Sequence, residues 1–427
     1  MQKTGNNEPY LLIQKTKEYP GPLTLSRNYY NTKLIPWIIP LFKTNMNILF
    51  DYQSFEMQPF GGVSKSYAEI ISHLKYLGVD ARLAIKESDN EHLLQTGIAP
   101  FIKPLGTTNK RWFGGKKLFR GQRKLLRMGM SLAGYHDDFL SINQDHCIKL
   151  LKRQQFDIFE PTFFDSYFLP YLKGKPFVLT VHDMIPELLG VDEPQANQKK
   201  LLCPMAAHIH VPSQNTKKDL VNILNIDQNK VTVTPHGSPS LPTTQHPSPY
   251  PFPYLLYVGA RWSYKNFAPF VEECAIIINK CPDLHVVCTG SPFTQEEEQL
   301  IADRGLTQNF MQTYADKEVL HALYQNAVAF VYPSAYEGFG LPILEAFVCG
   351  CPVFLNNASC FPEVGGDAAI YFDINCRGDL AEHIESFLQV SRQDRVDLIA
   401  RGRERAKLFS WEGSAKILSY VYNSILA

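Results

Sequence analysis

The stretch VAFVYPSAYEGFGLPILEAFVCGCPVFL, residues 328–355, decides the fold. VAFVY (328–332) and PVFL (352–355) are short apolar runs of strand length. Between them, Pro333 through Phe339 read as a loop, and apolar residues from about Gly340 recur as in a helix. Strand, loop, helix and strand in succession build a parallel sheet, because parallel strands need a long crossover. Two glutamates, Glu337 and Glu345, bracket the glycines, with seven residues between them. The stretch holds no lysine or arginine, so neither carboxylate has a cationic partner within it. They are either exposed decoration or hydrogen-bond acceptors for a ligand.

The same alternation extends in both directions. MNILFDY (46–52) reads as a buried strand, followed by a loop ending in Gly61-Gly62. A helix follows, in which Val63, Tyr67, Ile70, Ile71, Leu74 and Leu77 recur at helical spacing and Gly78 closes the run. Further strands are expected at 177–181, 208–211 and 230–234. The proline-dense SPSLPTTQHPSPYPFP (238–253) reads as a linker. The pattern then restarts, with strands at 254–258, 284–288, 328–332, 352–355 and 369–372. The expected organisation is an extension at 1–45 and an α/β domain at 46–240 joined by a C-terminal helix at 410–427. A linker at 241–253 and a second α/β domain at 254–409 complete it. Parallel doubly wound sheets bind ligands beyond the carboxyl ends of their strands, so the loops after strands carry the chemistry. If the two crevices face each other, the ligand lies between the domains.

Composition narrows the function. The 427 residues are 45% hydrophobic and 20% charged, as in a folded two-domain chain. Lysine plus arginine equals aspartate plus glutamate at 42 each, which gives no whole-chain case for nucleic acid. The nine scattered cysteines lack a C-x-x-C pair and read as buried thiols in a reducing compartment. The apolar run at 34–42 is too short to span a membrane, and no signal peptide is evident.

Four loops are candidate sites. Gly61 and Gly62 precede a helix, where backbone amides can approach an anion, although such a pair is often only a turn. In VGARWSYKN (258–266), Arg261 and Lys265 follow a strand end. Two cations there suit a diphosphate, the arginine forking onto two oxygens; the alternative is two solvated loop cations. In the opening stretch, the amides of Gly338, Phe339, Gly340 and Leu341 are available to an anion or to sugar hydroxyls. Glu337 and Glu345 suit the vicinal hydroxyls of ribose or hexose. In TVHDMIPE (180–187), His182 and Asp183 follow a strand, where a lone His-Asp pair is more often structural. No G-x-S-x-G elbow, zinc-ligand cluster, D-x-D or clean G-x-G-x-x-G accompanies these sites.

Together, E-G-F-G-L-P-x-x-E, the preceding R-x-x-x-K and the N-terminal glycine loop resemble the retaining family 4 glycosyltransferases of the GT-B fold. The resemblance covers about 46–427 and is strongest toward bacterial O-antigen and capsule mannosyltransferases. It implies two Rossmann-like domains, the first for the acceptor and the second for a nucleotide-diphosphate sugar. It places Glu345 on the nucleotide ribose, Glu337 on the donor sugar, and Arg261, Lys265 and the Gly62 amide on the diphosphate. His182 stands beside the transferred sugar, and Gly338 to Leu341 wrap the donor. The implied reaction is metal-independent hexosyl transfer with retention, needing no cofactor beyond the donor. GDP-mannose is favoured over UDP-hexoses, and the acceptor is a glycan or lipid-diphosphate-linked hydroxyl. A nucleotide-sugar-binding regulatory protein is the competing reading, which four intact site residues oppose.

NKRWFGGKKLFRGQRKLLRMGM (109–130) carries eight cations and no acid, with interleaved aromatic and leucine residues. It reads either as a solvated helix face or as a peripheral contact with anionic membrane, in a protein expected on the cytoplasmic side.

Overall fold

The computed structural model describes residues 46–57, 59–99, 142–240, 242 and 244–427. The expected extension at 1–45 and the basic stretch at 109–130 lie outside them. The described residues form two units. One comprises the described residues of 46–182, Pro194–Gly237 and Phe409–Ala427; the other comprises those of Asp183–Glu193 and Ser238–Leu408.

The first unit holds β1 (Asn47–Phe50), β2 (Asp80–Leu83), β3 (Ile158–Glu160), β4 (Val178–Thr180), β5 (His208–Val211) and β6 (Val231–Val233). All pairings are parallel, in the orders β2-β1-β3 and β4-β5-β6. A bridge from Phe159 to Phe177 joins the two sets. β3 and β4 are buried at every residue, so they show no alternation of buried and exposed positions. The helix Gly62–Tyr76 buries Tyr67, Ala68, Ile70, Ile71 and Leu74. Gly78, at φ 80°, ends it in the left-handed conformation that favours glycine. The C-terminal helix Trp411–Leu426 packs on it. Gly237 permits that packing: a Cβ there would lie 2.3 Å from the Trp411 backbone nitrogen.

The second unit holds β7 (Tyr254–Tyr257), β8 (His285–Thr289), β9 (Phe310–Thr313), β10 (Ala329–Tyr332), β11 (Val353–Asn356) and β12 (Ile370–Phe372). They form one parallel sheet in the order β12-β11-β10-β7-β8-β9. Strands β7, β10 and β11 are entirely buried. Strand order reverses between β7 and β10, and such a switch point opens a crevice at the carboxyl ends of the two strands. The buried Glu273 carboxylate accepts from Gly378 N (2.6 Å) and Ala381 N (3.1 Å), capping the helix Asp379–Gln389 from a neighbouring helix.

Two expected boundaries differ. Asp183–Glu193, expected in the first domain, groups with the second unit. There the Asp183 charge, after burial and Glu337, raises the Tyr264 phenol. The proline-rich stretch also belongs to the second unit. Its His246 N donates to Gln325 Oε1 (2.8 Å), and its Thr244 and His246 carbonyls accept from Gln325 and Asn326. All nine cysteines are unpaired and seven are buried. Among the described residues, no helix is long and apolar enough to cross a membrane.

Candidate active site

The site of the second unit is built at its switch point. After β7, Gly259 turns the chain at φ 116°, a conformation glycine adopts readily. The Tyr257 hydroxyl then donates to Ala260 O (3.0 Å). The short turn Ser263–Lys265 follows, and Asn266 donates through Nδ2 to Pro333 O (2.9 Å) in the loop after β10. Ala335 N donates to Tyr264 O (2.8 Å). Two loops far apart in sequence are thereby fixed to each other.

Across them, Lys265 Nζ forms an ion pair with Glu337 Oε1. The two side chains are 13% and 12% exposed. The ammonium also lies 5.0 Å from the Tyr264 ring centre and 5.8 Å from that of Tyr332. Burial, and then the Glu337 charge, holds the Tyr332 phenol well above its ordinary range. Glu337 is held at its backbone: its N–H donates to Ser359 Oγ (3.2 Å) and its carbonyl accepts from Ser359 Oγ (2.8 Å) and Cys360 Sγ (3.2 Å). Glu337 lacks a cation within its own stretch, and the tertiary structure supplies one from 72 residues upstream.

Arg261 lies on the same turn and is already engaged. Its Nε donates to Glu297 Oε1 (3.0 Å), and its Nη2 donates to Ser291 O (2.7 Å) and Pro292 O (2.9 Å). Its guanidinium lies 4.9 Å from the Phe293 ring centre and 5.5 Å from that of Phe267. Nη1 is buried without a partner among the described residues. The fork expected to grip two phosphate oxygens therefore has one uncommitted nitrogen in this geometry. The sequence reading missed the residues that aim it. Glu297 also closes a capping box, its Oε2 accepting from Thr294 N (2.9 Å), so one carboxylate anchors both a helix start and Arg261. The pattern TGSPFTQEE (289–297), a strand end followed by a capping box, was the available signal.

Gly340 starts the helix Leu341–Cys349 at φ 92°, with Pro342 in its first turn, as the sequence spacing predicts. Gly338, Phe339, Gly340 and Leu341 lead into that helix, whose amino end favours negative charge. Glu345 is half-buried one turn in, and after burial its charge raises the Tyr324 phenol.

The first unit carries the other expected residues. Gly61 is the N-cap of the helix Gly62–Tyr76, and Gly62 is exposed at its start. Gly61 O accepts from Ser64 Oγ (3.1 Å), and Ser66 Oγ contacts His236 Nδ1 (3.1 Å). The His182 ring packs against the edge of Tyr67 (5.7 Å) and near His236 (6.1 Å), and its Nε2 is buried with no partner among the described residues. Burial first, and then His236, His210 and Lys199, lowers the His182 pKa well below its ordinary value, so it is a neutral imidazole. Asp183, next in sequence to His182 but grouped with the second unit, accepts from Ile185 N through Oδ1 (3.0 Å), which makes it a turn former. Behind His182, Tyr67 OH donates to Thr180 Oγ1 (2.7 Å), which contacts His210 Nε2 (2.7 Å). His210 contacts Glu160 Oε1 (2.9 Å), and Tyr422 OH donates to Glu160 Oε2. Tyr67 is legible from sequence only as a position on the buried helix face, and neither His236 nor this network is singled out there.

Two doubly wound parallel units, one with a cation–carboxylate site at its switch point, are the architecture of the GT-B fold. The model of the family described as Glycosyl transferases group 1 matches residues 242–405, and that of Glycosyltransferase Family 4 matches 60–238. The chain belongs to glycosyltransferase family 4 and is a transferase. It is 29% identical over 267 residues to O-antigen chain mannosyltransferase B of Escherichia coli, covering 58% of this chain and 70% of that protein. It is 28% identical over 209 residues to O-antigen chain mannosyltransferase RfbU of Salmonella typhimurium, covering 48% and 58%. The crystal structure of Anabaena HepE in complex with UDP and glucose superposes with a TM-score of 0.64 at 16% identity, covering 89% of this chain and all of that one.

Proposed function

We propose that this chain transfers a hexose, mannose by preference, from a nucleotide-diphosphate sugar to a hydroxyl of a glycan or lipid-linked acceptor in surface-polysaccharide synthesis, with retention of configuration. The observation that carries this reading is the Lys265–Glu337 pair at the switch point, with Arg261 on the same turn. The similarity to two O-antigen mannosyltransferases supports mannose, and thereby GDP-mannose, as donor.

In this mechanism the bond from the sugar's anomeric carbon to diphosphate oxygen breaks, and its electron pair leaves with the diphosphate. The acceptor oxygen bonds to that carbon on the same face, and its proton passes to the departing phosphate oxygen. Lys265, Arg261 Nη1 and helix amino ends stabilise the charge that builds on the diphosphate. Glu337 accepts from sugar hydroxyls, Glu345 accepts from the ribose, and neutral His182 offers a hydrogen-bonding nitrogen to the sugar. The proposed chemistry calls on no metal, so transfer should persist in EDTA. Thermal shift with GDP, UDP, ADP and their sugars tests the donor. Selective stabilisation by GDP and GDP-mannose is expected; selective stabilisation by UDP would move the donor. Membrane association through 109–130 is the accompanying proposal, tested by flotation with and without anionic lipid.

A further inference from the structure

In the proposed transfer Lys265 meets the diphosphate and Glu337 the sugar, yet these two groups are paired with each other. Both are mostly buried, and both loops are tied down by backbone hydrogen bonds. The anchored backbones hold the two side chains at one place, so a ligand meets both together. A ligand that takes the ammonium therefore leaves a carboxylate close by in a site of low polarity. That carboxylate needs hydrogen-bond donors from the ligand, or it stands uncompensated. A nucleoside diphosphate brings only negative charge to this place. A nucleotide sugar brings the same charge together with hydroxyl donors.

We infer that the Lys265–Glu337 pair is a sugar sensor: it makes the donor's hexose a condition for tight nucleotide binding. The inference rests on the nucleotide-sugar reading of this site. Each group of the pair satisfies the other. A complete donor exchanges the pair for two new contacts, phosphate on Lys265 and sugar hydroxyls on Glu337. Once the hexose has left for the acceptor, Glu337 loses its donors while the diphosphate still holds Lys265. The carboxylate then competes with the diphosphate for the ammonium, and the spent nucleotide is expelled. One charge pair thus discriminates the substrate from its own product, which differs from it only by the transferred sugar. The Tyr264 and Tyr332 faces keep the ammonium in place for either partner.

Removing the carboxylate should therefore tighten binding of the bare nucleotide, although it damages transfer. Calorimetric titration of the full chain with GDP and with GDP-mannose, without acceptor, measures this. In the wild type GDP-mannose should bind more tightly than GDP. In Glu337→Gln, GDP should bind about tenfold more tightly than in the wild type, the scale set by relieving an unpaired buried group. The preference for the sugar-bearing nucleotide should shrink or invert. Should Glu337→Gln fold poorly, Glu337→Ser carries the same expected sign. Unchanged or weaker GDP binding in a folded Glu337 variant overturns the inference while leaving the site assignment standing. Failure of GDP, UDP and ADP alike to bind the wild type overturns the nucleotide-sugar reading, and the inference with it.

Discussion

Replacing Lys265 by methionine separates the stabilising role of its ion pair from its role in transfer. Methionine keeps the stem and removes the charge. Two consequences can be scaled. First, in the proposed reaction the diphosphate loses one preorganised charge partner, a loss of about 3 kcal/mol of barrier lowering, or roughly two orders of magnitude in kcat/KM. Second, Glu337, only 12% exposed, loses its cation. Breaking a fully buried pair costs about 3–5 kcal/mol, and the residual exposure here reduces that to about 2 kcal/mol. For a unit of this size such a loss lowers Tm by roughly 4–8 °C. The double variant Lys265→Met/Glu337→Gln removes the stranded charge, so it should regain most of the Tm while transfer stays lost. The assays are thermal unfolding and product formation from GDP-mannose. Wild-type turnover in Lys265→Met, or recovery of turnover in the double variant, would refute the reasoning.

Three further outcomes are expected. Burial and His210 lower His236 from 6.5 to about 3, so between those values the unfolded chain binds a proton that the folded chain refuses. Stability contributed above pH 6.5 is thus lost on acidification, by about 1.4 kcal/mol per pH unit within that window. Glu56, raised by burial from 4.5 to about 7, acts in the opposite sense, so the slope is read as the difference between wild type and His236→Gln; identical Tm–pH curves would contradict it. Glu273→Ala strands the buried Ala381 amide and the half-buried Gly378 amide at the helix Asp379–Gln389 and should cost about 2 kcal/mol, seen as a lower Tm; an unchanged Tm would show that water replaces the cap. Gly237→Ala drives a Cβ into Trp411 and should loosen the C-terminal helix; limited proteolysis should then cut before residue 411 faster than in wild type, and equal rates would refute the clash.

Much of the fold was legible because parallel strands buried on both faces read as apolar runs. His208–Val211 matches its expected range, and β7, β10 and β11 fall within one residue of theirs. The strands β2, β3 and β9 were missed. β2 (DARL) is an edge strand with two charged residues, and β3 is three residues long, so neither carries a strong local signal. The site residues were legible as types: glycines before helices, two cations after a strand end, and two carboxylates around a glycine loop. Their partners were not. Glu297 holds Arg261 from 36 residues downstream, and Glu160 meets Tyr422 across 262 residues.

By itself, the sequence determined that this is a two-unit parallel α/β chain with family 4 motifs, because hydrophobic periodicity and glycine placement are local properties. Strand order is not local. Only the tertiary structure set β10 beside β7, which brought Glu337 onto Lys265 and made one charge pair of two separately recognised residues. Electrostatic partners are chosen by distance in space, and spacing along the chain does not encode that distance until the sheet order is fixed.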